Sequence, residues 1–116
     1  MKAKEYKKVT ICLGLNDKNT KVQEIETTRA GKILSDLICS RFVGATVTEA
    51  AGIYTHDNGD QVQESSFVVV LYFVNERQVK EFAGELCRVF NQEAVTIECV
   101  RSGLFGDRLS VDFFSL

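Results

Sequence analysis

The sequence contains no proline and no tryptophan, and only one histidine and one methionine. With no proline and no Ser- or Gly-rich run, nothing marks a linker, so 116 residues and 13.0 kDa read as one domain over 1–116, with a core at about 8–100 and a C-terminal extension at 101–116. No stretch approaches the ~18 apolar residues of a membrane span, which removes a membrane from the expected partners. Residues 1–8 are polar and basic with no apolar segment behind them, which predicts a cytoplasmic protein without a targeting signal. A surplus of cations is also missing. The 14 Lys and Arg against 16 Asp and Glu give a net charge of -2 and a pI near 5.4, which excludes a protein that tracks DNA or RNA. A small anion held by two or three arginines remains compatible with that balance.

The four cysteines, Cys12, Cys39, Cys87 and Cys99, include no C-x-x-C pair, and His56 is distant from all of them. Zinc ligands come in close pairs, so neither a metal nor any other cofactor is expected. Each cysteine lies in an apolar segment and reads as a buried, reduced thiol.

What is present is an ordinary globular composition, 45% hydrophobic and 26% charged. A chain of this length buries roughly two-thirds of its unfolded surface. Residues 8–15 alternate, with Val9, Ile11, Leu13 and Leu15 on one side, and predict a strand. Thr27 and Thr28 offer N-caps for a helix over 28–42, with Ala30, Ile33, Leu34, Leu37, Ile38 and Phe42 on one face. Residues 45–55 and 61–74 read as a hairpin around a turn containing Asn58-Gly59. Asn75 and Gln78 stand at N-cap and N3 spacing for a second helix over 76–90, faced by Val79, Phe82, Ala83, Leu86 and Phe90. Strands follow over 94–100 and 108–114. The order gives an α+β fold, a ferredoxin-like βαββαβ sandwich with an additional C-terminal strand. Residues 67–74 are apolar at every position, which predicts cover on both faces of that strand. Two helices on one side cannot supply it, so the tail at 113–116 or a second subunit is expected to.

No catalytic constellation is visible. His56 sits in the hairpin turn, no serine has a G-x-S-x-G context, and the glycines form no phosphate-binding loop. Glu24, Glu26, Glu49 and Glu64 read as polar strand faces or caps. The richest polar group is the end of the second helix with the C-terminal turn. Asn91 is suited to a left-handed helix ending, and Arg101 and Arg108 flank a glycine-containing turn able to present N–H groups and guanidinium forks to an anion. Phe105 or Tyr54 could stack on a base. A helix cap plus a tight hairpin with two surface arginines accounts for the same residues. Thr28 and Arg29, on the first turn of the first helix, form a second candidate.

Several segments read together: Val9-Thr10-Ile11-Cys12-Leu13-Gly14-Leu15-Asn16-Asp17, Gly44-Ala45-Thr46-Val47, Gly52-Ile53-Tyr54-Thr55-His56 and Phe90-Asn91-Gln92-Glu93-Ala94-Val95. They resemble the first type of phage Thoeris anti-defence sponge proteins, which sequester cyclic ADP-ribose isomers made by TIR-domain immune enzymes. The resemblance implies a non-catalytic binding protein and a homo-oligomer, a dimer at minimum and a hexamer in the family. It also implies a cyclic ADP-ribose isomer as partner, with cyclic oligonucleotides at a second site. By position it implies ligand contacts from Asn91 and Arg108, base stacking by Phe82, and Arg29 at any second site. As the alternative, the pattern also resembles a family of small domains with an F-G-L-like first strand and an F-x-Q-E segment, for which an enzyme or a protein interaction module is the expectation.

Overall fold

The computed structural model describes residues 5–55, 57–101 and 110–115, the last six by backbone alone. The alternating and helical patterns become β1 (Glu5–Gly14), α1 (Thr27–Arg41), β2 (Thr46–Thr55), β3 (Gln61–Asn75), α2 (Glu76–Val89), β4 (Thr96–Arg101) and β5 (Ser110–Ser115). One antiparallel sheet has the order β2-β3-β1-β4-β5, so the first four strands with the two helices are the ferredoxin-like sandwich and β5 is the added strand.

Both helices lie on one sheet face. Ala30, Leu34 and Ile38 of α1 and Val79, Phe82, Ala83 and Leu86 of α2 are buried against Val9, Ile11 and Leu13 of β1, Phe67, Val69 and Leu71 of β3, and Ile97 and Cys99 of β4. Each large side chain so removed from water contributes about 1.5–3 kcal/mol. Asn75 and Gln78 form the expected capping box, with Asn75 Oδ1 accepting from the Gln78 N–H at 2.9 Å and Gln78 Oε1 accepting from the Asn75 N–H at 2.9 Å. α1 starts differently. Glu26 occupies its N-cap without a side-chain bond, while the Thr27 hydroxyl accepts from Gln23 Nε2 at 2.9 Å. Thr27 is already helical, so its hydroxyl anchors the preceding loop instead of capping the helix.

Two further expectations are corrected. Cys99 alone of the four cysteines is buried; Cys87 is half-buried, and Cys12 and Cys39 are exposed. Cys12 falls between the inward-facing Ile11 and Leu13, so the strand's period of two points it to the face without helices. The continuous apolar run in β3 is not covered on both sides within the chain's described residues. Val68 and Val70 on the open face are half-buried, and Tyr72 and Phe73 are 56% and 82% exposed. The run has a second cause. Phe73 takes a left-handed backbone (φ 52°) and the register passes from Lys8↔Tyr72 to Tyr6↔Val74 without a Lys7–Phe73 pair. Both strands change phase there, so Val74 and Tyr6 turn inward where strict alternation would have placed Phe73 and Lys7. Among the described residues, no helix is long and apolar enough to cross a membrane.

Candidate active site

The end of the sheet where β1 finishes brings together four distant pieces of chain. β1 pairs with β3 as far as Gly14↔Ser66, and the β2–β3 ladder continues to Thr55↔Gln61, so the hairpin projects past β1 as a two-stranded ribbon. At its base Glu64 stands opposite Gly52, on the face without helices. Its carboxylate lies over Gly14: a Cβ added there would meet Glu64 Oε1 at 2.5 Å. A strand glycine is often the mark of such a close approach. Glu64 Oε2 accepts a hydrogen bond from the Asn16 N–H at 2.8 Å. Among the described residues Glu64 forms no ion pair, whereas Glu76, Glu81 and Glu85 are each paired with a cation. Tyr54, paired with Val62, stands on the same face two residues further along the ribbon, 42% exposed.

The loop after β1 is tied to the end of α2. The Asn91 backbone is left-handed (φ 48°), as an asparagine ending a helix allows. The Gln92 N–H then bonds to the Cys87 carbonyl at 2.9 Å, which closes a Schellman turn. Asn91 Nδ2 donates to Asp17 Oδ2 at 2.8 Å, and Gln92 Nε2 donates to the Asn16 carbonyl at 2.7 Å. The Asn91 amide, with the N–H groups of Thr20 and Asn19, holds the Asp17 carboxyl below the usual carboxylate range. Among the described residues, no group of three His, Cys, Asp or Glu side chains is arranged to hold a metal.

The residues singled out from the sequence are scattered across this frame. Asn91 ends α2 as expected, but its side chain and carbonyl both hold the loop, the carbonyl accepting from the Lys18 N–H at 3.0 Å. Thr28 and Arg29 are exposed on the first turn of α1, at the same end of the molecule. Phe82 is fully buried and meets Phe42 edge-on at 5.2 Å, so it presents no ring face to a base. Arg101 is separated from Asn91: β4 runs from Thr96 opposite Cys12 to Val100 opposite Lys8, which carries Arg101 toward the other end of the sheet, about 17 Å along the strand. The expected convergence of the α2 end with the C-terminal turn therefore does not form through Arg101. Phe105, Arg108 and His56 lie outside the described residues. Glu64, Gly14, Asn16 and Gln92 were not singled out. The signal available was a glutamate in a strand flanked by two strand glycines, Gly14 and Gly52, but only the register reveals that they are its neighbours.

A model of the S-adenosylmethionine lyase family matches residues 15–105, a range that holds Asn16, Tyr54, Glu64 and Gln92. No curated protein sequence matches the chain significantly. Two solved structures share the fold. A phage SAM lyase in complex with S-methyl-5'-thioadenosine superposes with a TM-score of 0.65 at 21% identity, covering 100% of this chain and 92% of that one. A phage SAM lyase in the apo state gives 0.64 at 20% identity, covering 98% and 89%. Neither finding bears on the resemblance to the sponge family itself, but together they overturn the function drawn from it. The matched family is one of enzymes, and the ligand of the solved relative is a thioadenosine, so a non-catalytic sequestering protein and a cyclic ADP-ribose partner are both corrected. With most of its length matched by the family model, the chain belongs to the S-adenosylmethionine lyase family.

Proposed function

We propose that this protein cleaves S-adenosylmethionine between the sulfonium sulfur and the methionine Cγ, releasing S-methyl-5'-thioadenosine. The observation that carries this reading is the family match across residues 15–105, which includes the one described half-buried glutamate seated on a glycine. A lyase adds no water, so Cγ takes its new bond from within the methionine fragment, and closure by the carboxylate needs no protein base where loss of a β-proton would. The carboxylate oxygen forms a bond to Cγ as the Cγ–S bond breaks, and the bonding pair leaves with sulfur as a neutral thioether. A five-membered lactone carrying the α-ammonium group is the other product, and no proton is transferred.

Such a reaction needs chiefly a folded substrate, with the carboxylate oxygen behind Cγ and in line with sulfur, and orientation alone can supply several kcal/mol. The sulfonium charge disappears on the way to products, while the α-ammonium charge persists. A protein carboxylate against the sulfonium would stabilise substrate more than transition state. Glu64 is therefore assigned to the α-ammonium group, fixing the methionine end so that its carboxylate faces Cγ. Tyr54, on the same sheet face, offers an aromatic surface to the adenosyl part.

The test is to incubate the purified protein with S-adenosylmethionine and separate the products by reversed-phase chromatography with mass detection. One equivalent of S-methyl-5'-thioadenosine per S-adenosylmethionine consumed is expected. S-adenosylmethionine recovered intact, bound or free, would overturn the assignment.

A further inference from the structure

β3 fixes the Glu64 backbone, but its carboxylate, lying over Gly14, is aimed by the hydrogen bond it accepts from the Asn16 N–H at 2.8 Å, and the position of that N–H depends on what fixes Asn16. The Asn16 carbonyl accepts from Gln92 Nε2 at 2.7 Å, so one residue is gripped on both polar groups, by Glu64 from the hairpin and by Gln92 from the end of α2. Gln92 itself has little freedom. Its N–H closes the Schellman turn on Cys87, and the same side-chain amide also donates to the Phe90 carbonyl at 3.1 Å. The turn requires only the Gln92 backbone N–H, which leaves the long side chain available to reach Asn16. Asn91 supports the same loop one residue on, through Asp17, and Asn16 is further fixed by its isolated bridge to Gln23.

We infer that Gln92 is a positioning residue for the Glu64 carboxylate, acting through the peptide groups of Asn16. The inference rests on the reading of Glu64 as the carboxylate that orients the substrate. If Gln92 cannot donate, the Asn16 carbonyl loses its partner, the loop shifts, and the N–H that aims Glu64 moves with it. A displacement of about 1 Å at an orienting group can lower a rate by up to about a hundredfold without abolishing binding. The hydrogen bonds are local to the loop, so the sandwich core should remain folded.

The experiment is a double-mutant cycle on the full chain, with steady-state kinetics of thioadenosine release for wild type, Gln92→Met, Glu64→Gln and the combined variant. Gln92→Met keeps the side chain's length and removes its donor. Gln92→Met is expected to lower kcat at least about tenfold with a much smaller change in KM. In the Glu64→Gln background it should cause no more than about a twofold further loss, because the group it positions is already gone. A role confined to the helix end would instead give losses that multiply. Multiplicative losses, or a Gln92→Met enzyme within about twofold of wild type while Glu64→Gln is impaired, would overturn the inference and leave the Glu64 reading standing. A Glu64→Gln enzyme at wild-type rate would overturn both. Should Gln92→Met fail to fold, Gln92→Asn, one methylene too short to reach Asn16, carries the same expectations.

Discussion

Glu64 and Asn16 are 48 residues apart in the chain and 2.8 Å apart in the fold, and Gly14 provides the floor beneath them. Gly14 has no left-handed backbone to defend; its value is the space where a Cβ would be. Gly14→Ala should therefore tilt the Glu64 carboxylate away while the strand, which tolerates alanine, stays paired. The far end of a flexible glutamate can yield, so the loss should appear in activity, about tenfold or more in kcat, with thermal unfolding changed by no more than a few degrees. An active Gly14→Ala enzyme with wild-type kcat would show that the carboxylate's seat does not matter. This residue-scale geometry was the least legible from sequence. Glu64 reads as one more polar residue on a strand, and Gln92 reaches Asn16 across 76 positions. No local pattern encodes such a contact, because it depends on where two turns end up in space.

At the scale of elements, local chemistry was enough to read the helices. The 3.6-residue apolar stripes of α1 and α2 are the buried stripes observed, and the Asn75–Gln78 spacing is the capping box. Asn75→Ala should cost about 1 kcal/mol by removing that cap, measured as a lowered urea midpoint with unchanged slope. What the stripes could not supply was the change of phase at Lys7 and Phe73, since a single left-handed residue makes an outward side chain look like a core one. The helices are joined by Arg41, whose Nε and Nη2 donate to the two carboxylate oxygens of Glu85 at 3.1 and 3.0 Å. Arg41 holds the Glu85 carboxyl below the usual range. A depressed carboxyl stabilises the fold above its unfolded value and loses that contribution as pH falls through the folded one. Wild type should therefore exceed Arg41→Met in stability at neutral pH, and urea titrations should show the gap closing as acid protonates Glu85. A gap independent of pH would place the arginine's contribution in packing.

For the whole molecule, the helices protect one sheet face and leave the other open. The described residues include a hairpin ribbon that projects beyond β1, with Ile53 71% exposed near its tip. A two-stranded ribbon is marginal in water by itself. The radius of gyration, 15.1 Å, exceeds the about 13 Å of a compact chain this long. Self-association that covers the ribbon and the open face is the expected outcome. Sedimentation velocity at micromolar concentration should give at least twice 13.0 kDa, and Ile53→Asp should reduce it. A 13.0 kDa species throughout would contradict this. The element order and the α+β sandwich were legible from the sequence because they follow from the succession of patterns. The proposed activity was not, since the carboxylate assigned to it lies on β3 and is placed by the end of β1 and the end of α2.

In the proposed reaction the chain breaks the Cγ–S bond of S-adenosylmethionine by closing the methionine carboxylate onto Cγ. Turnover in water enriched in oxygen-18, with the products analysed by mass spectrometry before the lactone can hydrolyse, tests it most directly. Closure by the carboxylate predicts S-methyl-5'-thioadenosine together with a lactone that carries no label. Homoserine labelled at its hydroxyl oxygen would show that water attacks Cγ, and unreacted S-adenosylmethionine would show that the bond is not broken; either result rules out closure by the carboxylate.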